Sequence, residues 1–239
     1  MTSIVRLGFL VPPGNPHVEP ELVRLAPPGV TVHFDRLVAR AGTGTHEGQE
    51  ERNRSHIAHI DENVELMALV RPSVICLGHT ATSYTLGREG EAELKARLEK
   101  KSGIPFITAF GSVIEALRHL GVERVALGAP YSAQDTLKSK GHLEANGLKV
   151  VHWGGLDNVK NIYDETEARA ALLARKVNHA EAQAVFLSGV GLPTIGVLEA
   201  AEMELGKPVL SSTVAMMWNA LRVAGVKTRV KGFGQLLAG

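Results

Sequence analysis

The stretch best composed for chemistry is Gly78-His79-Thr80-Ala81-Thr82-Ser83. It follows the apolar run Val74-Ile75-Cys76-Leu77, which reads as a buried strand that stops at Gly78. An imidazole among hydroxyls and backbone N–H groups at a strand's carboxyl end can move a proton near neutral pH and stabilise a developing oxyanion. A second stretch, Ala184 to Leu187 followed by Ser188-Gly189-Val190-Gly191, has the same design without an ionisable side chain. It lacks the remainder of a dinucleotide or Walker fingerprint, so nucleotide binding is excluded. Two further strand ends carry polar residues: Pro12-Pro13-Gly14-Asn15 with His17, and Pro130-Tyr131-Ser132. Asn15 and Tyr131 are candidates for contacting a ligand, although both also suit ordinary turns. His56 and His59 stand three apart with Asp61 and Glu62 nearby and His46 upstream. No recognised metal motif is complete there, so the pair is expected on a solvated helix face and no metal is predicted.

These residues need elements to hold them. Ile4 to Val11 reads as a strand, Glu19 to Leu25 as a short helix and Val30 to Leu37 as a second strand. Residues 41–54 read as a loop entering a helix, and Ile57, Ile60, Val64, Met67 and Ala68 give the helical period of His56 to Val70. The Thr80–Ser83 hydroxyls are expected in a loop, and Glu89 to Lys101 in a charged amphipathic helix. Gly103-Ile104-Pro105-Phe106-Ile107-Thr108, a helix through Ala116-Leu117-Arg118 and a stop at Gly121-Val122 then return as Gly206-Lys207-Pro208-Val209-Leu210-Ser211, Ala220-Leu221-Arg222 and Gly225-Val226. Val122 to Tyr131 repeats Ile4 to Pro13, and Ala184 to Gly191 repeats Val74 to Thr80. A repeat of half a chain indicates duplication and a pseudo-twofold.

The expected fold is α/β, with two Rossmann-like parallel-sheet halves facing each other across a cleft. The halves are set at 1–112 with 214–239, and at 113–213, the last helix crossing back to the first half. Ligands bind such sheets beyond the strands' carboxyl ends, so Pro12–Asn15, His79–Ser83, Tyr131–Ser132 and Ser188–Gly191 should line the cleft. The Thr108 and Ser211–Thr213 turns should lie close by. With 26 basic and 25 acidic residues, and few aromatics, the chain is not expected to bind nucleic acid. No stretch is long and apolar enough to suggest a membrane span. The one cysteine, Cys76, lies in an apolar run and reads as a buried core thiol. A cytoplasmic setting is the expectation.

Val11-Pro12-Pro13-Gly14-Asn15 with Glu19, Leu77-Gly78-His79-Thr80, Gly121 to Leu127 with Tyr131, Leu187 to Leu192 with Thr194, and Gly206 to Ser212 with Trp218 and Ala220 to Gly225 resemble the aspartate/glutamate racemase superfamily. The branch is that of maleate isomerases and arylmalonate decarboxylases, which the closing Gly232-Phe233-Gly234-Gln235-Leu236-Leu237 also resembles. The resemblance implies an enzyme for a small carboxylate, working without cofactor or metal, and permits a homo-oligomer. It implies cysteines at one or both of two facing positions, which map onto His79 and Gly189. Neither is cysteine here.

His79 is then the acid/base candidate on one face of the substrate, and Gly189 is expected to leave room on the other. The resemblance assigns Asn15 to substrate contact. Tyr131 is placed with the catalytic residues, while Pro12, Thr80, Ser83, Ser188, Gly189, Val190 and Gly191 are expected to bind the carboxylate or oxyanion. One-sided chemistry fits this set: decarboxylation, or cis–trans or single-base isomerisation. A hydrolytic or ring-opening enzyme on the same scaffold, with His79 activating water, and a non-catalytic carboxylate-binding protein are the alternatives.

Overall fold

The computed structural model describes residues 4–39 and 48–239, so His46 and the first half of the 41–54 stretch lie outside the described residues. Short apolar runs alternate with helices. The first half is β1 (Val5–Val11), α1 (Val18–Leu25), β2 (Val30–Arg36), α2 (Gln49–Ala68), β3 (Val74–Leu77), α3 (Thr80–Ser102) and β4 (Phe106–Thr108), followed by α4 (Ala109–His119). The second is β5 (Arg124–Ala129), α5 (Ala133–Ala145), β6 (Lys149–Gly155), α6 (Glu167–Val177), β7 (Ala184–Leu187), α7 (Leu198–Leu205) and β8 (Val209–Ser211), followed by α8 (Ser212–Val223) and α9 (Gln235–Ala238). Every strand pair is parallel, in the orders β2-β1-β3-β4 and β6-β5-β7-β8. Both sheets are covered by helices, so the four residues each of β3 and β7 are wholly buried.

The duplication is visible bond by bond. Gly78 N–H donates to the Leu10 carbonyl at 2.7 Å, and Ser188 N–H to that of Gly128 at 2.7 Å. Glu99 accepts from Phe106 N–H at 2.9 Å, and Glu202 from Val209 N–H at 3.0 Å. After α4 and α8 the chain turns at Gly121 (φ 67°) and Gly225 (φ 74°), a left-handed conformation that suits glycine, and the next valine bonds back into the helix. Thr108 and Ser211 cap α4 and α8. These two helices pack on each other, joined by Asn219 Nδ2–H donating to Ser112 Oγ at 3.1 Å, and α8 also packs on α1 and β3 in the first half.

Two expectations change at the helix starts. α2 begins at Gln49, inside the stretch expected to be loop. Thr80–Ser83 are the first turn of α3, and Gly87 (φ 70°, ψ 175°) breaks that helix before its charged part. Ser and Thr are weak helix formers, so the first turn is not legible as helix, and Gly87 hides its continuity with residues 89–101.

Candidate active site

β3 delivers His79. The residue caps α3 in an extended conformation (φ −141°, ψ 104°), and its Nδ1 lies 2.8 Å from Thr82 Oγ1. Its ring meets that of His56 edge-on, centroids 4.8 Å apart at 79°. His79 keeps some accessible surface although it sits deep in the fold. Burial, then His56 and the Arg52 guanidinium, hold its imidazole well below the ordinary histidine value. The ring is neutral at physiological pH.

The expectation of a solvated face at His56 is overturned. α2 buries Arg52, Asn53, His56, Ile60, Asn63, Val64 and Met67. The apolar members of this face pack on the first sheet's core, and its polar members stand at the carboxyl end of the strands. His56 is 2% exposed, and its Nδ1–H donates to the Val38 carbonyl at 2.8 Å. A carbonyl only accepts, so the proton is on Nδ1 and the neutral ring leaves Nε2 bare. Burial, with Arg52 nearby, lowers the His56 imidazole to about 4. His59 is half-buried and bonds back to the Ser55 carbonyl. No group of three or more potential metal ligands occurs among the described residues.

The opposite wall corrects a second expectation. Gly189 does not leave room. Its backbone is left-handed (φ 108°), and a Cβ there would lie 2.3 Å from the Tyr131 hydroxyl and 2.8 Å from Cζ. The phenol fills the space a side chain at 189 would take. Burial pushes the Tyr131 hydroxyl above the ordinary tyrosine value, with Tyr163 and Asp135 adding to it, so the phenol stays protonated and remains a donor. Ile162 and Tyr163 cover Gly191 in the same manner, 2.8 and 3.0 Å from the position of a Cβ. His17 Nε2–H donates to the Tyr163 carbonyl at 2.8 Å, tying this cover to the first half.

Asn15 joins the two walls. Its Nδ2–H donates to the Val190 carbonyl at 2.8 Å, and its Oδ1 accepts from His17 and Val18 N–H at the start of α1. Its second amide hydrogen makes no bond among the described residues. The Pro12 carbonyl accepts from Asn15 N–H at 3.2 Å, closing the turn. Glu21, 6% exposed, clamps the same seam: its Oε1 accepts from Thr194 and Ile195 N–H at 2.6 and 3.0 Å. Its Oε2 has no hydrogen-bond partner among the described residues, although Thr213 lies beside it. Burial therefore raises its carboxyl despite the backbone bonds from Ile195 and Thr194.

The remaining candidates divide. Thr80 is 1% exposed, and its hydroxyl has no partner among the described residues. Tyr84, one turn on, has a buried hydroxyl in the same condition, within electrostatic reach of Tyr131 and Asp135. Ser83 donates instead to Glu91 at 2.6 Å, in a buried network with Thr108 and with His142, whose Nε2 is 3.0 Å from the carboxylate. Burial alone would raise the Glu91 carboxyl, but bonds from His142, Ser83 and Thr108 outweigh it and lower it. Ser188 Oγ lies 3.4 Å from Ser139 Oγ on α5. Gly189 N–H donates to Ser212 Oγ at 3.1 Å. Arg52, His56 and Tyr84 were not among the residues expected from the sequence. The available signal was Arg52 and His56 at i and i+4, in line with Ile60.

The site thus pairs a neutral imidazole and a buried guanidinium on one wall with a protonated phenol on the other. The sequence pattern of the arylmalonate decarboxylase family matches residues 7–237. The chain belongs to the arylmalonate decarboxylase family. It is 28% identical to a maleate isomerase of Nocardia farcinica, over 98% of this chain and 96% of that protein. It is 27% identical to the arylmalonate decarboxylase of Bordetella bronchiseptica, over 98% and 97%. It superposes with a TM-score of 0.88, at 26% identity and 99% coverage of both chains, on a cysteine-to-serine variant of the Nocardia farcinica maleate cis-trans isomerase that carries a covalently bound succinylcysteine intermediate. Membership places this chain among isomerases and decarboxylases and agrees with the paired parallel sheets. Its one cysteine does not offer such a thiol: Cys76 is 0% exposed inside β3, and burial pushes its thiol far up.

Proposed function

We propose that this chain is a cofactor-independent decarboxylase or isomerase for a small carboxylate, acting through an enediolate, with His79 as the only acid/base. The observation that carries this reading is the asymmetry of the two strand ends. One presents an imidazole, and the other presents a tyrosine hydroxyl where residue 189 has no side chain. The relatives' names, maleate isomerase and arylmalonate decarboxylase, support a carboxylate substrate. In this reading His79 gives or takes the proton on one face. Tyr131 donates a hydrogen bond to charge developing on the other. Asn15, Thr80 and the backbone of Ser188–Gly191, with Val190, hold the carboxylate. Pro12 shapes the first turn. Ser83 takes part through its backbone N–H, because its hydroxyl serves Glu91. The halves are 1–112 with 214–239, and 113–213, and the active site is their seam. No helix among the described residues is long and apolar enough to cross a membrane. A cytoplasmic enzyme, with Cys76 reduced, completes the reading.

The test is His79→Ala against a panel of small mono- and dicarboxylates. The expected loss in kcat is about 10²- to 10⁴-fold. Full turnover by the variant would remove His79 from the mechanism. Turnover in deuterated water is expected to place deuterium on carbon. Oxygen from water in the product would point to hydrolysis instead.

A further inference from the structure

We propose that Glu91 is a positioning residue for His79: its carboxylate pins the short helical run that follows His79, and that run supplies the hydrogen bond which fixes the imidazole. The proposal rests on His79 being the acid/base.

α3 is built in two pieces. Gly87 (φ 70°, ψ 175°) cuts residues 80–86 from the rest, in a backbone region open to little but glycine. Among the described residues, no atom beyond its chain neighbours lies within 4 Å of where its Cβ would stand. The glycine therefore serves the break and not the packing. A helical run as short as 80–86 does not hold itself together in water, so it must be held from the side. It carries Thr82, 0% exposed, whose Oγ1 lies 2.8 Å from His79 Nδ1. Whatever sets this run sets the ring.

Two groups hold it. On α2, Asn53 Nδ2–H donates to Thr85 Oγ1 at 2.8 Å and to the Ala81 carbonyl at 3.4 Å. From beyond the break, Glu91 Oε1 accepts from Ser83 Oγ–H at 2.6 Å. Ser83 follows Thr82 directly, so this bond acts on the residue that meets the imidazole. Glu91 is itself fixed from two further elements. Its Oε1 also accepts from Thr108 at the end of β4, whose hydroxyl in turn accepts Gly111 N–H at 2.9 Å. Its Oε2 lies 3.0 Å from His142 Nε2 of α5. Burial raises the carboxyl, yet the bonds from His142, Ser83 and Thr108 outweigh burial and keep it ionised. An ionised carboxylate only accepts, which places the His142 proton on Nε2. The His142 ring is wedged edge-on against Phe110 of α4, centroids 4.7 Å apart at 84°. Three donors, from α3, β4 and α5, make Glu91 a fixed post between the two halves.

The duplication supplies a contrast. After β7, residues 188–197 form no helix, and Ser211, the counterpart of Thr108, caps α8 without bonding a carboxylate among the described residues. The post stands only on the half that carries the imidazole, which is where a positioning group is needed.

The test reads the ring itself, with and without turnover. Protein labelled with nitrogen-15 in histidine gives the His79 ring signals near neutral pH, assigned by their loss in His79→Ala. Thr82→Val supplies the reference for a ring without its Nδ1 partner. Ser83→Ala deletes only the bond across the break, and is expected to move the His79 signals toward the Thr82→Val position. Glu91→Gln keeps an acceptor for Ser83 and should stay near the wild type, whereas Glu91→Leu should move with Ser83→Ala. On the panel acid that the wild type turns over fastest, Ser83→Ala is expected to lower kcat about ten- to a hundredfold with KM changed less than about threefold. It should add little in the Thr82→Val background, because both changes act through one bond. His79 signals unmoved in Ser83→Ala would overturn the proposal, and so would a loss of kcat that simply multiplies with that of Thr82→Val. Ser83→Ala leaves the Thr108 and His142 bonds in place, so it decides the matter even if Glu91→Leu fails to fold. Signals unmoved in Ser83→Ala, with turnover lost in His79→Ala, would reject the post alone. Signals moved in Ser83→Ala, with full turnover in His79→Ala, would instead reject the acid/base reading.

Discussion

Gly189→Ala tests the geometry of the second wall most directly. At φ 108° an alanine must hold a backbone conformation that costs about 1–3 kcal/mol for a residue with a Cβ. Its methyl would also lie 2.3 Å from the Tyr131 hydroxyl and 2.8 Å from Cζ. The phenol is rigid and deeply set, so the ring must move as a body. Overpacking of that kind costs about 1–3 kcal/mol more. Roughly 2–6 kcal/mol is therefore at stake, which for a chain of this size lowers Tm by about 4–24 °C. The assay is thermal and denaturant unfolding of four proteins: wild type, Gly189→Ala, Tyr131→Ala and the double variant. In the Tyr131→Ala background the clash is gone and only the backbone cost of about 1–3 kcal/mol should remain. The difference between backgrounds measures the contact. Equal cost in both backgrounds, or a cost within about 0.5 kcal/mol in the wild type, would refute the packing of Tyr131 into the glycine's place. The same logic governs a restored thiol. Gly189→Cys should react slowly with a thiol reagent until Tyr131 is shortened, and Cys76 is too deeply buried to add background.

Three other outcomes are expected. The folded state holds His56 neutral down to about pH 4 against an ordinary 6.5, so the unfolded chain binds the extra proton between those values and stability falls as pH drops through that window, by up to about 3 kcal/mol; His56→Phe should flatten that part of the Tm–pH curve. Glu21 is shifted the opposite way: its raised carboxyl means the folded state keeps a proton the unfolded chain has lost, so ionising it costs stability as pH rises above the ordinary 4.5. Glu21→Gln keeps an acceptor for Thr194 and Ile195, and its Tm relative to wild type should climb as pH is raised through that range; a flat difference would deny the burial cost. With one titrating wall, a prochiral enediolate should be protonated from a single face, so chiral chromatography should find one enantiomer in excess, and a racemic product would require a second acid.

The fold was legible where chemistry is local. Apolar runs such as Val74–Leu77 and Ala184–Leu187 end at residues that break a strand, and the twin stops Gly121-Val122 and Gly225-Val226 mark equal helix ends. A duplicated chain displays each signal twice, and the pairing of Glu99 with Phe106 and of Glu202 with Val209 keeps the same spacing in both copies. What stayed hidden depends on contacts far apart in sequence. Arg52 and His56 interrupt the apolar period of α2 and look like surface; what covers His56 is Val38 beyond β2 and His79 beyond β3. Tyr131 and Gly189 carry no local sign of each other; a glycine reads as space, and only the fold reveals a ring occupying it.

That last point alters what the missing thiols mean. Removing a cysteine from a cleft while leaving a void would cost packing and leave the opposite wall open to water. Here the Tyr131 hydroxyl, which keeps its proton, closes the space beside Gly189, and in the proposed reading the facing strand end carries the imidazole that exchanges one. In that reading a duplicated scaffold is chemically one-sided with its packing intact. The polar residues that set His79 come from α2 and from Thr82 of α3. The imidazole is therefore better understood with Arg52 and His56, as one wall of three residues, than as a one-for-one exchange of nitrogen for sulfur.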